Sequence, residues 1–346
     1  MKSLFSLKYV IAICIFLLTP ITCNAFDYLQ QLPNGPLVPT DNPLTDAKIS
    51  LGKKLFFDPV LLGPHSKISC NSCHILSKGG GDPHPLSVGQ NGKKTHRSTP
   101  TLWNIGLQTV LYWDGRSANL EDQTLDHLRD PVIATWSNIG EIITHLEKIP
   151  EYRHAFAVAF PGDYSLSGTN LSRAMASFER SLMAPNSAFD RYLAGDKNAI
   201  SASAKRGIQK FNDVGCLACH FGVNFAGPAP GPAMKMGDGF YELFPTKLGS
   251  RFDKKYHLTD DLGRYSYTGL PNERFMWRVP PLRNIALTAP YFHNGSVSSL
   301  KEAVRVMART QEGFNIPEST VNDISEFLKT LTGMTPKSIQ DNHNHS

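Results

Sequence analysis

Two pentapeptides of one form, CNSCH at residues 70–74 and CLACH at 216–220, account for four of the six cysteines in the chain. The other two, Cys14 and Cys23, lie in the N-terminal stretch MKSLFSLKYVIAICIFLLTPITCNAF. That stretch carries Lys2 and Lys8, an apolar run from Tyr9 to Leu18, and small residues ahead of a cut after Ala25. It reads as a secretory signal peptide, because the run is well short of the ~20 apolar residues that a spanning helix needs. Residues 1–25 are therefore expected to be removed on export to the periplasm, with no membrane span retained. Cys70, Cys73, Cys216 and Cys219 then make up the thiols of the mature chain. Four thiols in an oxidising compartment can form two disulfides, and one CxxCH can be half of a zinc site. Here both pairs share the same spacing, and a histidine follows each at once. In that arrangement the thiols bond to the vinyl groups of haem and the histidine binds iron on its proximal face. The reading is two covalently bound c-type haems, with His74 and His220 as proximal ligands.

The length of 346 residues and a hydrophobic content of 41% suit about two domains with buried cores. Losing Lys2 and Lys8 lowers the formal charge from +5 to about +3, too mild to argue for nucleic acid or a membrane surface. Four stretches have helical periodicity. One runs through Leu44, Ala47, Leu51, Leu55 and Phe56 with Thr45 as a cap, and a second through Leu171, Met175, Phe178 and Leu182 before Pro185. A third begins at the serine cap of SASAKRGIQKFNDVG and delivers the chain to Cys216. The fourth carries Ile324, Phe327, Leu328 and Leu331 and ends at Gly333. Strand signals are scarce. The glycine- and proline-rich segments 79–100 and 222–239 would be improbable in a compact domain unless something large ordered them, as a buried cofactor does. Each half thus has a helix, a CxxCH and a loop-rich region after it. This predicts two cofactor domains, 26–165 and 166–335, with a boundary in FPGDYSLSGTN. A tail at 336–346 carries His343 and His345 and reads as a disordered terminus.

What lies opposite each histidine separates electron transfer from catalysis, since a methionine or second histidine closes the iron and a vacancy admits a substrate. Local reading leaves Met234, Met236, Met276 and Met307 as candidates at the second haem. A methionine on a helix is equally a filler of core gaps.

The stretches LGKKLFFDPVL, CNSCH, RSTPTLWNIG, YWDGRSANLEDQ, SFERSLMAPNSAFDRYLAGD, GCLACH, DLGRYSYTG and VPPLRNIALTAPYFHNGSVSSLKEAVRVM cover nearly the whole mature chain. In that order they resemble the bacterial di-haem cytochrome c peroxidases, the superfamily that also contains the MauG-type enzymes. The resemblance implies a mainly α fold of two cytochrome c-like haem domains in tandem with long loops, the first peroxidatic and the second for electron transfer. It also implies that Met307 is the distal ligand of the second haem, where MauG-type members tend to have tyrosine. Trp113 falls where the family places a tryptophan between the haems. Arg116 and Arg283 are implied partners of haem propionates or of the domain interface, where structural hydrogen bonds are their plainer role. Thr288 and Pro290 match carbonyl ligands of an interdomain calcium, whose asparagine ligand is replaced by Ser98 here.

The departures from the family bear on the first haem. Gln90 stands where many members have a capping histidine, which leaves the first iron open to water or to His84 or His96. Gln123 matches a distal glutamine, but the acid–base glutamate position falls on Ile133, with Asp130 and Glu141 as nearby carboxylates. The implied activity is reduction of hydrogen peroxide to water with electrons from a small cytochrome c or blue-copper protein, in a chain that is often a homodimer. Two alternatives stand beside it: MauG-like oxidation of a partner protein through high-valent haems, and a non-catalytic di-haem electron carrier.

Overall fold

A computed structural model describes residues 29–162, 165–231 and 234–336. The expected signal segment 1–25 and the tail histidines His343 and His345 lie outside the described residues. The first half contains α1 (Asp46–Phe57), α2 (Leu120–Arg129), α3 (Ile139–Leu146), α4 (Pro150–Ala159) and α5 (Gly168–Ser181). The second contains α6 (Ala188–Leu193), α7 (Ala202–Asp213), α8 (Arg251–Tyr256), α9 (Tyr265–Thr268), α10 (Leu300–Thr310) and α11 (Glu318–Lys329). Among the described residues the one sheet is the antiparallel pair β1 (Tyr241–Leu243) and β2 (Met276–Arg278), so the fold is mainly α.

Local signals set the helix starts. Thr45 Oγ1 accepts the Lys48 N–H ahead of α1, and Ser201 Oγ accepts the Ala204 N–H ahead of α7. The helix α5 stops at Ser181, short of Pro185, and α11 stops at Lys329 rather than Gly333, whose N–H meets Asn284 Oδ1 instead.

Both halves are built on one helix crossing. In the first, α1 crosses α5, with Gly52 against the Ala174 carbonyl and the Phe178 Cβ; in the second, α7 crosses α11, with Gly207 against the Asp323 carbonyl and the Phe327 Cβ. A side chain at either glycine would overlap those atoms, so the absence of a Cβ is what lets the backbones meet. Aromatic pairs fill in beside the crossings, Phe56–Phe178 at 5.2 Å and Phe211–Phe327 at 5.4 Å between ring centroids.

The first core runs from Leu51 to Ala184 and the second from Phe189 to Leu331. This corrects the expected boundary at 165/166: α5 belongs to the first unit, and the change-over lies near 185–188. Leu29 also packs in the second core, and the Leu32 N–H donates to Asp190 Oδ1. The start of the described chain thus belongs to the C-terminal unit rather than to an N-terminal domain beginning at 26.

Candidate functional site

The two pentapeptides fold alike. Cys70–Ser72 and Cys216–Ala218 each form a single 3-10 turn, and the histidine N–H then donates to the first cysteine's carbonyl at 2.9 Å in both. The Nδ1–H of His220 donates to the Phe225 carbonyl at 2.9 Å. That of His74 is shared between the carbonyls of Pro100 at 3.1 Å and Gly80 at 3.3 Å. A carbonyl only accepts, so Nδ1 holds the proton and Nε2 keeps a free lone pair, the tautomer a metal-bound imidazole requires. Burial lowers the pKa of both rings, which favours the neutral, ligating form. The four cysteines are free of one another, and burial pushes the Cys70 and Cys216 thiols up to about 12. Neither a disulfide framework nor an activated thiolate fits these groups.

The second pentapeptide opens onto a cavity of about 1600 Å³, counting its open mouth. Cys216, Cys219 and His220 line it together with Met307 of α10, and apolar side chains such as Leu282, Val304 and Leu328 make up much of the rest. Two thiols, an imidazole nitrogen and a thioether facing one apolar space are a donor set that fits a c-type haem with histidine and methionine on its iron. Of the four candidate methionines, Met307 is the one that lines this cavity.

The wall nearest the first unit is aromatic. The indole N–H of Trp113 donates to the Ser98 carbonyl at 2.8 Å, and its ring meets His293 edge-on at 6.5 Å. His293 stacks on Trp277 at 4.2 Å, and the Arg97 guanidinium lies 4.9 Å from the Trp277 ring. Burial holds the pKa of His293 down at about 4, and its Nε2 is buried with no hydrogen-bond partner. The segment 98–100 joins the two sites: the Ser98 carbonyl fixes Trp113, and two residues on the Pro100 carbonyl fixes His74. Sequence reasoning does not single out His293, Trp277 or the buried Arg278, which donates to the Tyr112 carbonyl at 2.9 Å.

Around the first pentapeptide, α2 presents Gln123 and His127 one turn apart on one side, while Leu120, Thr124 and Leu128 are buried on another. The His127 ring lies 6.2 Å from that of Tyr112, whose hydroxyl donates to the Gln123 carbonyl at 3.3 Å. Burial, and then the neighbouring His74, bring the pKa of His127 down to about 4. Sequence reasoning misses His127 because it sits in the charged run DHLRD.

The other candidate residues have partners of their own. The Arg283 guanidinium is fully buried and committed to Asp190 at 2.9 Å and to the carbonyls of Val223 and Gln30 at 2.7 and 2.9 Å. It braces the second unit rather than facing a propionate. Arg116 is half-buried, pairs with Asp114 at 3.1 Å and lies 3.3 Å above the Tyr112 ring. His84 is exposed and bonded to Asp82 at 2.8 Å, His96 is exposed, and the Gln90 amide donates to Ser66 Oγ at 2.8 Å. Ile133 is part of the first core, the exposed Glu141 accepts the Ser137 N–H beside α3, and Asp130 accepts the Val132 N–H after α2. Each carboxylate thus accepts one backbone N–H and keeps its second oxygen. Thr288, Pro290 and Ser98 do line one cavity, but they bring no carboxylate, and the Ser98 carbonyl already accepts from Trp113.

A family model described as di-haem cytochrome c peroxidase matches residues 46–198, and one described as RoxA-like, cytochrome c-like matches residues 277–312. The cytochrome c551 peroxidase of Pseudomonas aeruginosa is 38% identical over 296 residues, covering 85% of this chain and 81% of that protein. The methylamine utilization protein MauG of Methylophilus methylotrophus is 30% identical over 319 residues, 87% of each chain. Among solved structures, a MauG-like protein associated with microbial copper homeostasis matches with a TM-score of 0.76 at 27% identity, over 91% of this chain and 97% of that one. With relatives this similar along most of both chains, the protein belongs to the di-haem cytochrome c peroxidase family, which takes in cytochrome c peroxidases and MauG proteins alike.

Proposed function

We propose that the protein is an exported, periplasmic peroxidase. It reduces hydrogen peroxide to two waters, consuming two protons and two electrons, and a small cytochrome c or blue-copper protein supplies the electrons. The observation that carries this reading is Met307 on the cavity that His220 lines, because a thioether opposite an imidazole raises the potential of the iron between them and suits it to receive electrons. Haem held at Cys70, Cys73 and His74, and at Cys216, Cys219 and His220, would supply electron exchange and peroxide-bond chemistry. The chain's own residues supply the rest. The Phe225, Gly80 and Pro100 carbonyls orient the two imidazoles and raise their basicity. Trp113, pinned by its N–H, keeps a fixed aromatic surface between the sites. The Gln123 amide stands on the same side of α2 as His127 and can orient a small polar substrate there.

A MauG-like role is the second reading, favoured by the 27% identical MauG-like structure and weighed against by Met307. Steady-state assays separate the readings. Hydrogen peroxide consumed in proportion to reduced cytochrome c or blue-copper protein supports the peroxidase. Oxidised side chains on an added protein, with no reduced donor needed, would turn the assignment to the MauG-like role. Inertness in both assays would leave an electron carrier.

A further inference from the structure

The two halves repeat one another at a constant offset of 180 residues across the segment that ends in α2 and α10. Asn104 and Asn284 share a left-handed backbone (φ 63° and 61°), as do Tyr112 and Phe292 (65° and 71°) and Gly115 and Gly295 (65° and 60°). The bridge Leu111–Ser117 has its counterpart in Tyr291–Val297. Asn119 and Ser299 cap the two helices, each accepting the N–H three residues on. The asparagine anchors repeat as well, since Asn104 Oδ1 accepts the Ala184 N–H and Asn284 Oδ1 accepts the Gly333 N–H. In this register the residue matching Met307 is His127.

We propose that His127 is the distal ligand of the first haem iron in the fully oxidised protein, the counterpart of Met307 at the second. The proposal rests on the two-haem reading above. An imidazole reaches at least as far from its Cα as a thioether sulfur does, and it is a common ligand of haem iron. His127 neighbours His74, and neither of its ring nitrogens has a hydrogen-bond partner among the described residues. The loop groups in that region point elsewhere: His84 bonds to Asp82, His96 is exposed, and Gln90, at the place of the family's capping histidine, bonds to Ser66. Because α2 is a regular helix packed through Leu120 and Leu128, the ligand leaves by side-chain rotation rather than by release of a loop. Peroxide has to displace it, and Gln123, one turn away, flanks the space it vacates.

The test begins with the purified holoprotein and a count of covalent haem by its pyridine-complex absorbance. Fewer than two per chain overturns the two-haem reading and leaves the His127 register untouched by that failure. With two haems present, electron paramagnetic resonance of the oxidised protein should show both irons low-spin. In His127→Ala one should turn high-spin and bind cyanide at least ~10-fold more readily, as expected if the capped form outnumbers the open one by about ten to one. His127→Met guards against a folding artefact, since it should return the first iron to a low-spin state with a thioether-to-iron absorption band. A high-spin iron in the unsubstituted protein, or a low-spin pair unchanged in His127→Ala, overturns the proposal.

Discussion

Glu179 is the carboxylate whose titration the fold perturbs most plainly. It lies on α5 with 6% of its surface exposed, and its Oε2 has no hydrogen-bond partner. The adjacent Arg180 is committed to Glu121 through two hydrogen bonds, at 2.6 and 2.7 Å. Burial therefore outweighs the neighbouring guanidinium and lifts the pKa of Glu179 from 4.5 to about 8. The native state keeps a proton that the unfolded chain loses above pH 4.5, so this group makes stability fall as pH rises through the interval from 4.5 to 8. Glu179→Gln removes that dependence. Thermal unfolding of the holoprotein should find variant and parent nearly alike near pH 5. Near pH 8 the variant should be more stable by on the order of 1–3 kcal/mol, since each tenfold difference in proton affinity between the folded and unfolded chain is worth about 1.4 kcal/mol and local relaxation recovers part of it. Parallel curves at the two pH values would mean that Glu179 ionises normally. Single residues are unevenly legible in the sequence. The CxxCH histidines can be read because their chemistry is local, whereas Arg283 looks like a propionate partner until Asp190 and two carbonyls, distant in sequence, take up its donors.

At the level of elements, the crossing of α7 and α11 carries the second unit as that of α1 and α5 carries the first. Gly207→Ala places a methyl group onto the Asp323 carbonyl and the Phe327 Cβ. Backbone cannot rotate away as a flexible side chain can, so the helices have to separate. Alanine's better helix propensity, about 1 kcal/mol over glycine, offsets only part of the strain. The expected result is a net loss of about 1–3 kcal/mol in urea-induced unfolding, with covalent haem content unchanged because Gly207 lies outside the cavity lining. A neutral or stabilising effect would show that the crossing has slack. The four helices expected from periodicity and capping are all present, because apolar spacing and a serine or threonine cap act over a few residues. Which core each helix joins is a long-range matter. The stripe Leu171, Met175 and Phe178 on α5, continued by Leu182 just past its end, fits either unit on spacing alone, which is why spacing misplaces the boundary.

Across the whole molecule, two copies of one architecture differ at the places where they would set iron chemistry. At the shared register the first unit has His127 and the second has Met307, and at another the first has Trp113 and the second His293, the two rings meeting edge-on at 6.5 Å. This relation is hidden in the sequence because the CxxCH motifs are 146 residues apart while the later segments are 180 apart, so a loop of different length masks the repeat. Met307→His makes the two distal positions alike. The thioether that raises the second site's potential is lost, and the potential of that site should fall by on the order of 0.1 V or more, within the ~0.8 V range that axial ligands command. A reductive titration followed by absorbance should resolve two well-separated steps in the parent, the first belonging to the site of His220. In the variant the steps should converge, and reduction of peroxide by a reduced small cytochrome should slow while both haems stay covalently bound. If the steps keep their separation, Met307 does not set the potential of the second site, and the asymmetry must come from elsewhere in the two walls. The wall of the second cavity, where Arg278 and His293 are buried, would then be the place to look.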